Sequence, residues 1–304
     1  MSTPKAGIRK IANRRYGTAR AFYRIKLHRS KVGDPILIYS VGKVGSTSVA
    51  AALEDGVAPR EVHHIHWLTD AKLTDARKNH REGANRYRGT DKSRRFFQRY
   101  VWVGEYLSRE IAKGGRVWTV VTLVRDPVGR NVSSFFQNLE SFFDFWPREE
   151  LENRDIDEVA HQLVEMFLTS YVVKAQTVEA DGDPLVWFDE ELKEVFDVDV
   201  YASEFPTEAG FDTYSSDNAK VLLIRLEDLD NVASDALGPF LGVGDITMGR
   251  SNDSSDKTYA DAYKRFRDLL VIPDVYLDRM YTSTYATHFY SESEIAAFRS
   301  RWTT

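Results

Sequence analysis

The sequence predicts an α/β fold in which helices flank a central parallel β-sheet. Three apolar runs carry this prediction: Ile36–Val41, Val117–Val124 and the first part of Ala219–Leu229. Each run is short and almost entirely apolar, so it indicates a strand that is covered on both faces. Each is followed by polar residues suited to the start of a helix, and this alternation of strand and helix is typical of α/β proteins.

The composition is that of one large folded unit. The chain has 304 residues, of which 42% are hydrophobic and 12% aromatic, enough to bury one α/β core. No internal repeat, low-complexity tract or Pro/Gly-rich linker divides it. We therefore predict a single domain over residues 34–304, preceded by a basic helix or tail over residues 1–33.

The sequence also limits location and chemistry. No stretch approaches the roughly 18 apolar residues of a membrane span, and the first residues lack the apolar core of a signal peptide. There are no cysteines, which excludes disulfides, thiolate metal ligands and a cysteine nucleophile and fits a reducing compartment. We expect a cytoplasmic protein.

Basic residues are concentrated in two segments of an otherwise acidic chain. The net charge is −5, yet residues 1–31 hold ten Lys/Arg and no Asp/Glu, and residues 72–99 hold ten against three. In the first segment, apolar residues from Ile8 to Leu27 follow one helical stripe, which either docks on the anionic inner face of a membrane or stays solvated. The second segment predicts an irregular excursion before a helix near Trp102–Lys113. It would clamp phosphates or an anionic acceptor, or remain a solvated loop.

A glycine-punctuated loop, Gly42–Ser48, follows the first predicted strand. We expect a helix to open over Ser46–Leu53, so that the unpaired N–H groups of its first turn point at a bound anion, which the helix dipole also favours. Gly42 and Gly45 would let the backbone approach a ligand, and Lys43 adds a positive charge. The loop therefore predicts a phosphate or sulfate site, with an ordinary strand–helix turn as the alternative.

The loop differs from the nucleoside-triphosphatase loop G-x-x-x-x-G-K-[ST]. Leu37 stands where the first glycine of that motif should be. Val44 follows the lysine where a magnesium-binding hydroxyl is required. Here the lysine comes early, ahead of the second glycine and the hydroxyl residues.

A second motif follows the strand predicted at Val117–Val124. Arg125 stands at the end of this strand, and Pro127 suits the first turn of a helix. Ser133 then lies two turns along, on the face that Arg125 overlooks. Because a guanidinium group matches a phosphate monoester, the pair predicts a phosphate site. The alternative is an ion pair between Arg125 and Asp126 at the start of the helix.

The segment Glu61–Trp67 alternates as a strand does and should form the second parallel strand. His64 and His66 then share one face, and His63 points to the other. His66 lies nearest the carboxyl end of the strand, where ligands bind in open α/β sheets. These histidines read as a general base for a hydroxyl, as core histidines with satisfied hydrogen bonds, or as zinc ligands, although no further ligand spacing completes a zinc site.

The rest of the chain is predicted to be mostly helical. Residues 149–180, Leu185–Lys193 and Asp256–Trp302 have helical periodicity, and Ala219–Leu229 reads as a strand followed by a helix whose first turn holds Glu227–Asp228. The helical segments should cover the sheet and its carboxyl edge, and the last of them forms a helical C-terminal lid region on the acceptor side.

The two phosphate motifs together resemble those of sulfotransferases that use 3'-phosphoadenosine 5'-phosphosulfate (PAPS). The order Lys43-x-Gly45-Ser46-Thr47 resembles their 5'-phosphosulfate loop. Arg125 and Ser133, eight residues apart, resemble their 3'-phosphate site. Six motifs over roughly residues 34–302 resemble a branch of that superfamily, the bacterial capsular polysaccharide synthesis proteins: VGKVGSTS, HHIH, TLVRDPVGRNVSSFF, WFDEELK, LLIRLEDL and YSESEIAAFRSRW.

The resemblance implies a P-loop-like sheet and a defined set of PAPS-binding residues. Those of the loop are Gly42, Lys43, Val44, Gly45, Ser46, Thr47 and Ser48. Members of the branch also carry an Asn…Lys-Trp-Tyr-Ser segment, here Asn252 and Asp256–Ala260, with threonine for Trp and alanine for Ser. In related enzymes this region is a lid over the 3'-phosphate, which would give Arg250 and Lys257 that role. Surface charge is the alternative for both.

From the resemblance we expect in-line transfer of a sulfuryl group from PAPS to a sugar hydroxyl of a glycan or glycolipid, without a metal. Lys43 would neutralise the leaving oxygen. His66, or failing that His64, would take the acceptor proton. Glu61 is a rival, because some glycan sulfotransferases use a glutamate in a similar place.

Two other functions fit the same sequence. None of the three functions calls for a nucleic-acid partner. A nucleotide kinase with a deviant loop would need magnesium and an acidic metal ligand after a strand, for which Glu227 and Asp228 are the candidates. A non-catalytic module that binds nucleotide or glycan in polysaccharide assembly would need no such ligand.

Overall fold

The computed structural model describes residues 34–57, 60–82, 91–137, 154–173, 183–244, 246, 248 and 260–303. The basic helix or tail predicted for residues 1–33 lies outside this part of the chain.

A five-stranded sheet forms the centre of the described structure. Its strands are Ile36–Tyr39 (β1), Val62–Ile65 (β2), Trp118–Val124 (β3), Phe211–Ser215 (β4) and Ala219–Arg225 (β5). Their order across the sheet is β2-β1-β3-β5-β4. β1 is parallel to both β2 and β3, and β3 is parallel to β5. The predicted central parallel sheet is confirmed for these four strands.

Burial explains why the apolar runs predicted their strands well. Every residue of β1 is buried, as are six of the seven residues of β3 and of β5. Strands covered on both faces have apolar residues at nearly every position, whereas strands with one solvent-exposed face alternate between apolar and polar residues.

The predicted parallel sheet has one antiparallel strand, which lies at an edge. β4 pairs with β5 in the antiparallel sense, because the three residues between them are enough for a hairpin but not for a parallel crossover. β4 is half-buried or exposed at each position, so it has no apolar run that would have predicted it.

The helices of the described residues are named here in chain order. They are Ser46–Gly56 (α1), Asp70–Glu82 (α2), Asp91–Ala112 (α3), Pro127–Gln137 (α4), Ile156–Phe167 (α5), Glu194–Phe196 (α6), Leu229–Leu241 (α7), Ala260–Leu269 (α8), Asp274–Tyr281 (α9), Thr284–Phe289 (α10) and Glu292–Ser300 (α11). Two π-helical segments are Leu168–Val173 (π1) and Phe188–Lys193 (π2).

The described residues of the basic segment 72–99 do not form the irregular excursion that the sequence predicted. α2 runs to Glu82 and α3 begins at Asp91, so its described residues are helical. α2 buries Leu73 and Ala76, and a helical period carried by so few apolar residues is hard to distinguish from a loop.

The other helical predictions are confirmed where the structure describes them. α5 and π1 lie in the predicted segment 149–180, π2 lies in Leu185–Lys193, and α8 to α11 lie in Asp256–Trp302. One detail is wrong, since Glu227–Asp228 precede α7 and do not form its first turn. Glu227 instead accepts a hydrogen bond from Tyr290, and Asp228 forms an ion pair with Arg225.

The order of the strands reverses at β1, because β2 lies on one side of it and β3 on the other. Ligands of open α/β sheets bind beyond the carboxyl ends of the strands at such a switch point. The residues that follow β1, β2 and β3 all reach this edge. They include the loop after Tyr39, His66 and Arg125.

Tyrosine hydroxyls attach the C-terminal helices to the same edge of the sheet. Tyr281 OH donates to Asp126 Oδ1 at 2.9 Å, and Tyr290 OH donates to Glu227 Oε2 at 3.0 Å. Both tyrosines are buried. The predicted packing of a helical C-terminal region over the carboxyl ends of the strands is therefore confirmed.

Candidate functional site

Two residues with positive φ shape the loop between β1 and α1. Lys43 has φ 78° and Gly45 has φ 85°. Ser48 N and Val49 N donate to Gly45 O at 3.0 and 3.4 Å, so α1 begins directly at the loop. Gly45 occupies the N-cap position, and no side chain caps the helix there. An uncapped first turn is the arrangement in which backbone N–H groups bind anions.

Two arginines hold the carbonyl groups of this loop. Arg125 Nη1 donates to Lys43 O at 3.0 Å, and Arg130 Nε donates to Gly42 O at 2.8 Å. A trans peptide places the N–H of the next residue on the side opposite its carbonyl. The N–H groups of Lys43 and Val44 therefore point away from the arginines.

Arg130 was missed by the sequence analysis. It is 7% exposed, and its Nη1 donates to Asn131 Oδ1 at 2.9 Å, while Asn131 Nδ2 donates to Tyr276 OH at 2.8 Å. Burial lowers the pKa of its guanidinium. Its place on the first turn of α4, five residues after Arg125, was the available signal.

Arg125 is fixed through its backbone as well as its side chain. Its N–H donates to Tyr285 OH at 3.0 Å, and Tyr285 OH donates to its carbonyl at 2.9 Å. The alternative that Asp126 serves as its ion-pair partner is not observed. Asp126 Oδ1 accepts from Val128 N at 3.1 Å at the start of α4 and also from Tyr281. Burial raises the pKa of Asp126.

Ser133 lies on α4, half-buried, as the sequence predicted. Residues three apart on a helix share a face, so Ser133 lies beside Arg130. The joint binding of a phosphate by Arg125 and Ser133 stays a prediction. The structure places a second arginine, Arg130, beside Ser133 on the same helix.

His64 connects β2 to the loop. Its Nε2 lies 2.9 Å from Ser46 Oγ, and its Nδ1 lies 3.0 Å from Tyr100 OH. Both ring nitrogens are thus engaged by protein groups. Burial, together with the nearby His66, lowers the pKa of His64 to about 3.

His66 is held at the end of β2 with one ring nitrogen occupied. Its Nδ1 lies 2.7 Å from Ser40 O, and since a carbonyl only accepts, Nδ1 carries the proton and Nε2 has the lone pair. Burial lowers the pKa of His66 to about 4, and the charges of Arg130 and Lys43 act in the same direction. The rings of His66 and His64 are 4.9 Å apart, which confirms that they share a face.

Glu61, the rival base, lies at the opposite end of β2. Its carbonyl accepts from Ile36 N at 2.8 Å, at the start of β1. Its Oε2 is 3.4 Å from His63 Nε2, on the other face from His64. His66 lies five positions after Glu61 along the extended chain, roughly 16 Å away at about 3.3 Å per residue. This placement argues against Glu61 as a base at the loop.

A second residue that the sequence analysis missed is Glu191 of π2, which is completely buried. It accepts from Tyr39 OH, from Leu68 N at 2.8 Å and from Thr69 N and Oγ1 at 3.2 and 2.8 Å. Burial raises its pKa. Just before this segment, Trp187 Nε1 donates to His66 O at 3.2 Å. The WFDEELK motif thus holds the chain on both sides of His66.

The two carboxylates considered as magnesium ligands have protein partners. Glu227 accepts from Asp126 N at 2.8 Å and from Tyr290 OH. Asp228 forms an ion pair with Arg225 at 2.5 Å, and Arg225 also pairs with Glu294. Among the described residues, no group of three or more His, Asp or Glu side chains is arranged to hold a metal ion.

The predicted lid residues Arg250 and Lys257 lie outside the described residues, as does most of the degenerate Asn…Lys-Trp-Tyr-Ser segment. Their role stays a prediction.

The family comparison matches one stretch of the chain, less than half of its length. Residues 172–291 match a family model described as "Putative capsular polysaccharide synthesis protein". Over this stretch the chain is similar to the capsular polysaccharide synthesis family. The match includes π2, β4, β5, α7 and most of the C-terminal helices, but neither the loop after β1 nor the histidine strand. No sulfotransferase family model matches the chain.

The comparisons with curated proteins and with solved structures give no match. Within the part of the chain that the structure describes, no helix is both long enough and apolar enough to cross a membrane.

Proposed function

We propose that the protein is a PAPS-dependent sulfotransferase with a P-loop-like site, which moves a sulfuryl group to a sugar hydroxyl. The main support is that Arg125 and Arg130 hold the carbonyls of Lys43 and Gly42. The N–H groups of Lys43 and Val44 point away from these contacts, beside the uncapped first turn of α1 at the switch point of the sheet, which is the kind of backbone arrangement that a phosphosulfate would require.

In the proposed reaction the loop binds the 5'-phosphosulfate and the segment after β3 binds the 3'-phosphate. The acceptor oxygen forms a bond to sulfur as the bond between sulfur and the bridging oxygen breaks, and the 5'-phosphate of 3'-phosphoadenosine 5'-phosphate (PAP) leaves. Lys43 and the first N–H groups of α1 stabilise the charge that grows on the leaving oxygen. Arg125, with Ser133, selects the 3'-phosphate.

We assign the acceptor proton to His66. Its Nε2 has the lone pair because its Nδ1 donates to Ser40 O, whereas both nitrogens of His64 have protein partners. With a pKa of about 4, His66 is unprotonated at neutral pH and ready to accept. It is a weaker base than an ordinary histidine, so the proton transfers late, as sulfur–oxygen cleavage advances.

The acceptor is proposed from the family comparison. The description of the matching family names capsular polysaccharide synthesis, which supports a glycan or glycolipid acceptor. A glycolipid at the anionic inner face of a membrane would suit the basic segment of residues 1–31.

Titration calorimetry tests the donor. PAP should bind without magnesium and more tightly than AMP or ATP, and Arg125→Ala should remove the preference for PAP over AMP. Arg125→Lys controls for charge, since lysine retains it without the bidentate fork. Equal losses for both nucleotides would make Arg125 purely structural, through its bond to the loop. A preference for ATP with magnesium would favour a kinase, and binding of neither nucleotide would favour a non-catalytic module.

Turnover of PAPS with glycan and lipid extracts, followed by mass spectrometry, tests catalysis. Lys43→Ala should lower turnover by more than about tenfold, a barrier change above roughly 1.4 kcal/mol, with a smaller effect on PAP affinity. His66→Ala should cost roughly 10²–10⁴-fold and remove an acid limb of the kcat/KM profile near pH 4. Glu61→Gln is the matched control. A fully active His66→Ala beside an inactive but folded Glu61→Gln would refute the assignment.

A further inference from the structure

Three side chains from three elements form a hydrogen-bonded series that ends at the loop. Tyr100 of α3 lies 3.0 Å through its OH from His64 Nδ1, and His64 Nε2 lies 2.9 Å from Ser46 Oγ, at the first residue of α1. Ser46 is 3% exposed. The roles of donor and acceptor along this series determine what the Ser46 hydroxyl can offer to a ligand.

His64 has one N–H at neutral pH, because its pKa is about 3, so two arrangements exist. In the first, Tyr100 donates to Nδ1 and Nε2–H donates to Ser46 Oγ, and the hydrogen of Ser46 is left for a ligand. In the second, Ser46 donates to Nε2 and Nδ1–H donates to Tyr100, so that Ser46 presents only lone pairs to a ligand.

We propose that Tyr100 and His64 form a hydrogen-bond relay that keeps the Ser46 hydroxyl as a donor to an anion in the loop. The relay rests on the proposed function only in taking the loop as an anion site, and it gives His64 and Tyr100 positioning roles that the proposed reaction leaves unassigned. Any phosphate or sulfate group in the loop would use it.

Two features favour the first arrangement. A phenol is a better hydrogen-bond donor and a poorer acceptor than an aliphatic alcohol, so Tyr100 is the natural donor of the pair. The ring of Tyr100 is also stacked on His66, with centroids 5.3 Å apart and planes 7° from parallel, which fixes its hydroxyl against Nδ1. A bound anion also favours the first arrangement, because it accepts a hydrogen bond from Ser46 and would repel a lone pair.

A double-mutant cycle tests the relay. Dissociation constants for inorganic sulfate and for PAP are measured for the wild type, Ser46→Ala, Tyr100→Phe and the double variant. Ser46→Ala removes a hydrogen bond to a charged group, about 1.5 kcal/mol or more, and should weaken binding about tenfold or more. Tyr100→Phe keeps the stacked ring and should weaken binding several-fold. The double variant should bind as Ser46→Ala does, because Tyr100 acts only through Ser46.

Nitrogen-15 spectra of the His64 ring give a second readout. In the anion-bound wild type the proton should be on Nε2, and in Tyr100→Phe the Nδ1 resonance should shift, because this nitrogen loses its hydrogen-bond donor. Tyr106→Phe is the control, since this partly buried tyrosine on the same helix has Glu110 and Glu61 among its charged neighbours and lies toward the other end of β2. It should change neither the spectrum nor the affinities.

The outcomes separate the relay from the proposed function. Losses that add in the double variant, or a proton on Nδ1 in the anion-bound wild type, overturn the relay even where PAP binds tightly. A coupled cycle for sulfate with no preference for PAP supports the relay and counts against PAPS as the donor. If neither anion binds, both proposals fail.

Discussion

Gly42 and Gly45 are glycines for different physical reasons. A Cβ on Gly45 would lie 2.4 Å from Leu226 Cδ1, and the residue has φ 85°, so any side chain there is strained and crowded. A Cβ on Gly42 would meet nothing within 4 Å. Its backbone is held by Arg130 at one side, and the other side is the space proposed for the ligand.

Alanine at each position should therefore separate folding from binding. We expect Gly45→Ala to lower the free energy of unfolding by about 1 kcal/mol or more. Gly42→Ala should leave it within about 0.5 kcal/mol of the wild type while weakening PAP and sulfate binding. Chemical denaturation and calorimetry on the same samples measure both quantities. Unchanged anion affinity in Gly42→Ala would show that the ligand does not approach this residue.

At the scale of elements, π2 holds the segment that carries His66. Glu191 bonds to Leu68 and Thr69 after His66 and to Tyr39 before Ser40, and Trp187 bonds to the His66 carbonyl. These contacts join the end of β1, the end of β2 and the stretch that matches the family model. A buried carboxylate with several donors fixes a geometry well, because each donor would be left unsatisfied without it.

Glu191→Gln should damage both stability and turnover. The amide has one acceptor oxygen in place of two and directs an NH₂ group at donors, so we expect a loss of about 2 kcal/mol in the free energy of unfolding. Turnover should fall with little change in KM for PAPS, because His66 moves and the donor loop does not. Steady-state kinetics and thermal denaturation provide the measurements.

Glu190→Gln is the matched control one residue away. Glu190 forms a 2.7 Å ion pair with Lys72, with 37% of its side chain exposed, and exposed pairs contribute about 0–1 kcal/mol. Similar losses in the two variants would mean that charge on π2 matters and that the contacts to His66 do not.

For the protein as a whole, the two partly buried histidines make stability depend on acidity. Their pKa values in the folded protein are about 3 for His64 and about 4 for His66, both below the value near 6.5 expected in the unfolded chain. Between pH 6.5 and 4 the unfolded chain therefore binds more protons at these rings, and the free energy of unfolding falls as pH falls. The buried carboxyls with raised pKa values act in the opposite direction.

A difference measurement isolates the imidazole of His66. His66→Asn retains a donor for Ser40 O in place of Nδ1 and cannot titrate. The stability difference between wild type and variant should shrink by up to about 1.4 kcal/mol per pH unit on going from pH 6 toward 4. The same measurement on the exposed His161→Asn is subtracted as a control. A corrected difference that does not vary with pH would contradict the lowered pKa of His66.

The features that depend on local pattern could be predicted from the amino-acid sequence. The apolar runs predicted β1, β3 and β5 because strands buried on both faces need apolar residues at every position. Gly45, Pro127 and the hydroxyl residues predicted where α1 and α4 begin, and alternation predicted the shared face of His64 and His66. The residues of the loop and of the segment after β3 were predicted as two separate anion motifs.

Which of these residues meet depends on the packed fold. Arg130 and Glu191 were missed because their partners, Gly42 and the chain around His66, are distant in sequence and no period connects them. The antiparallel β4 was missed because an edge strand with little burial has no apolar run. The low pKa values of the histidines and the roles of their ring nitrogens come from burial and from carbonyl and hydroxyl neighbours on other elements, which only the packed fold supplies.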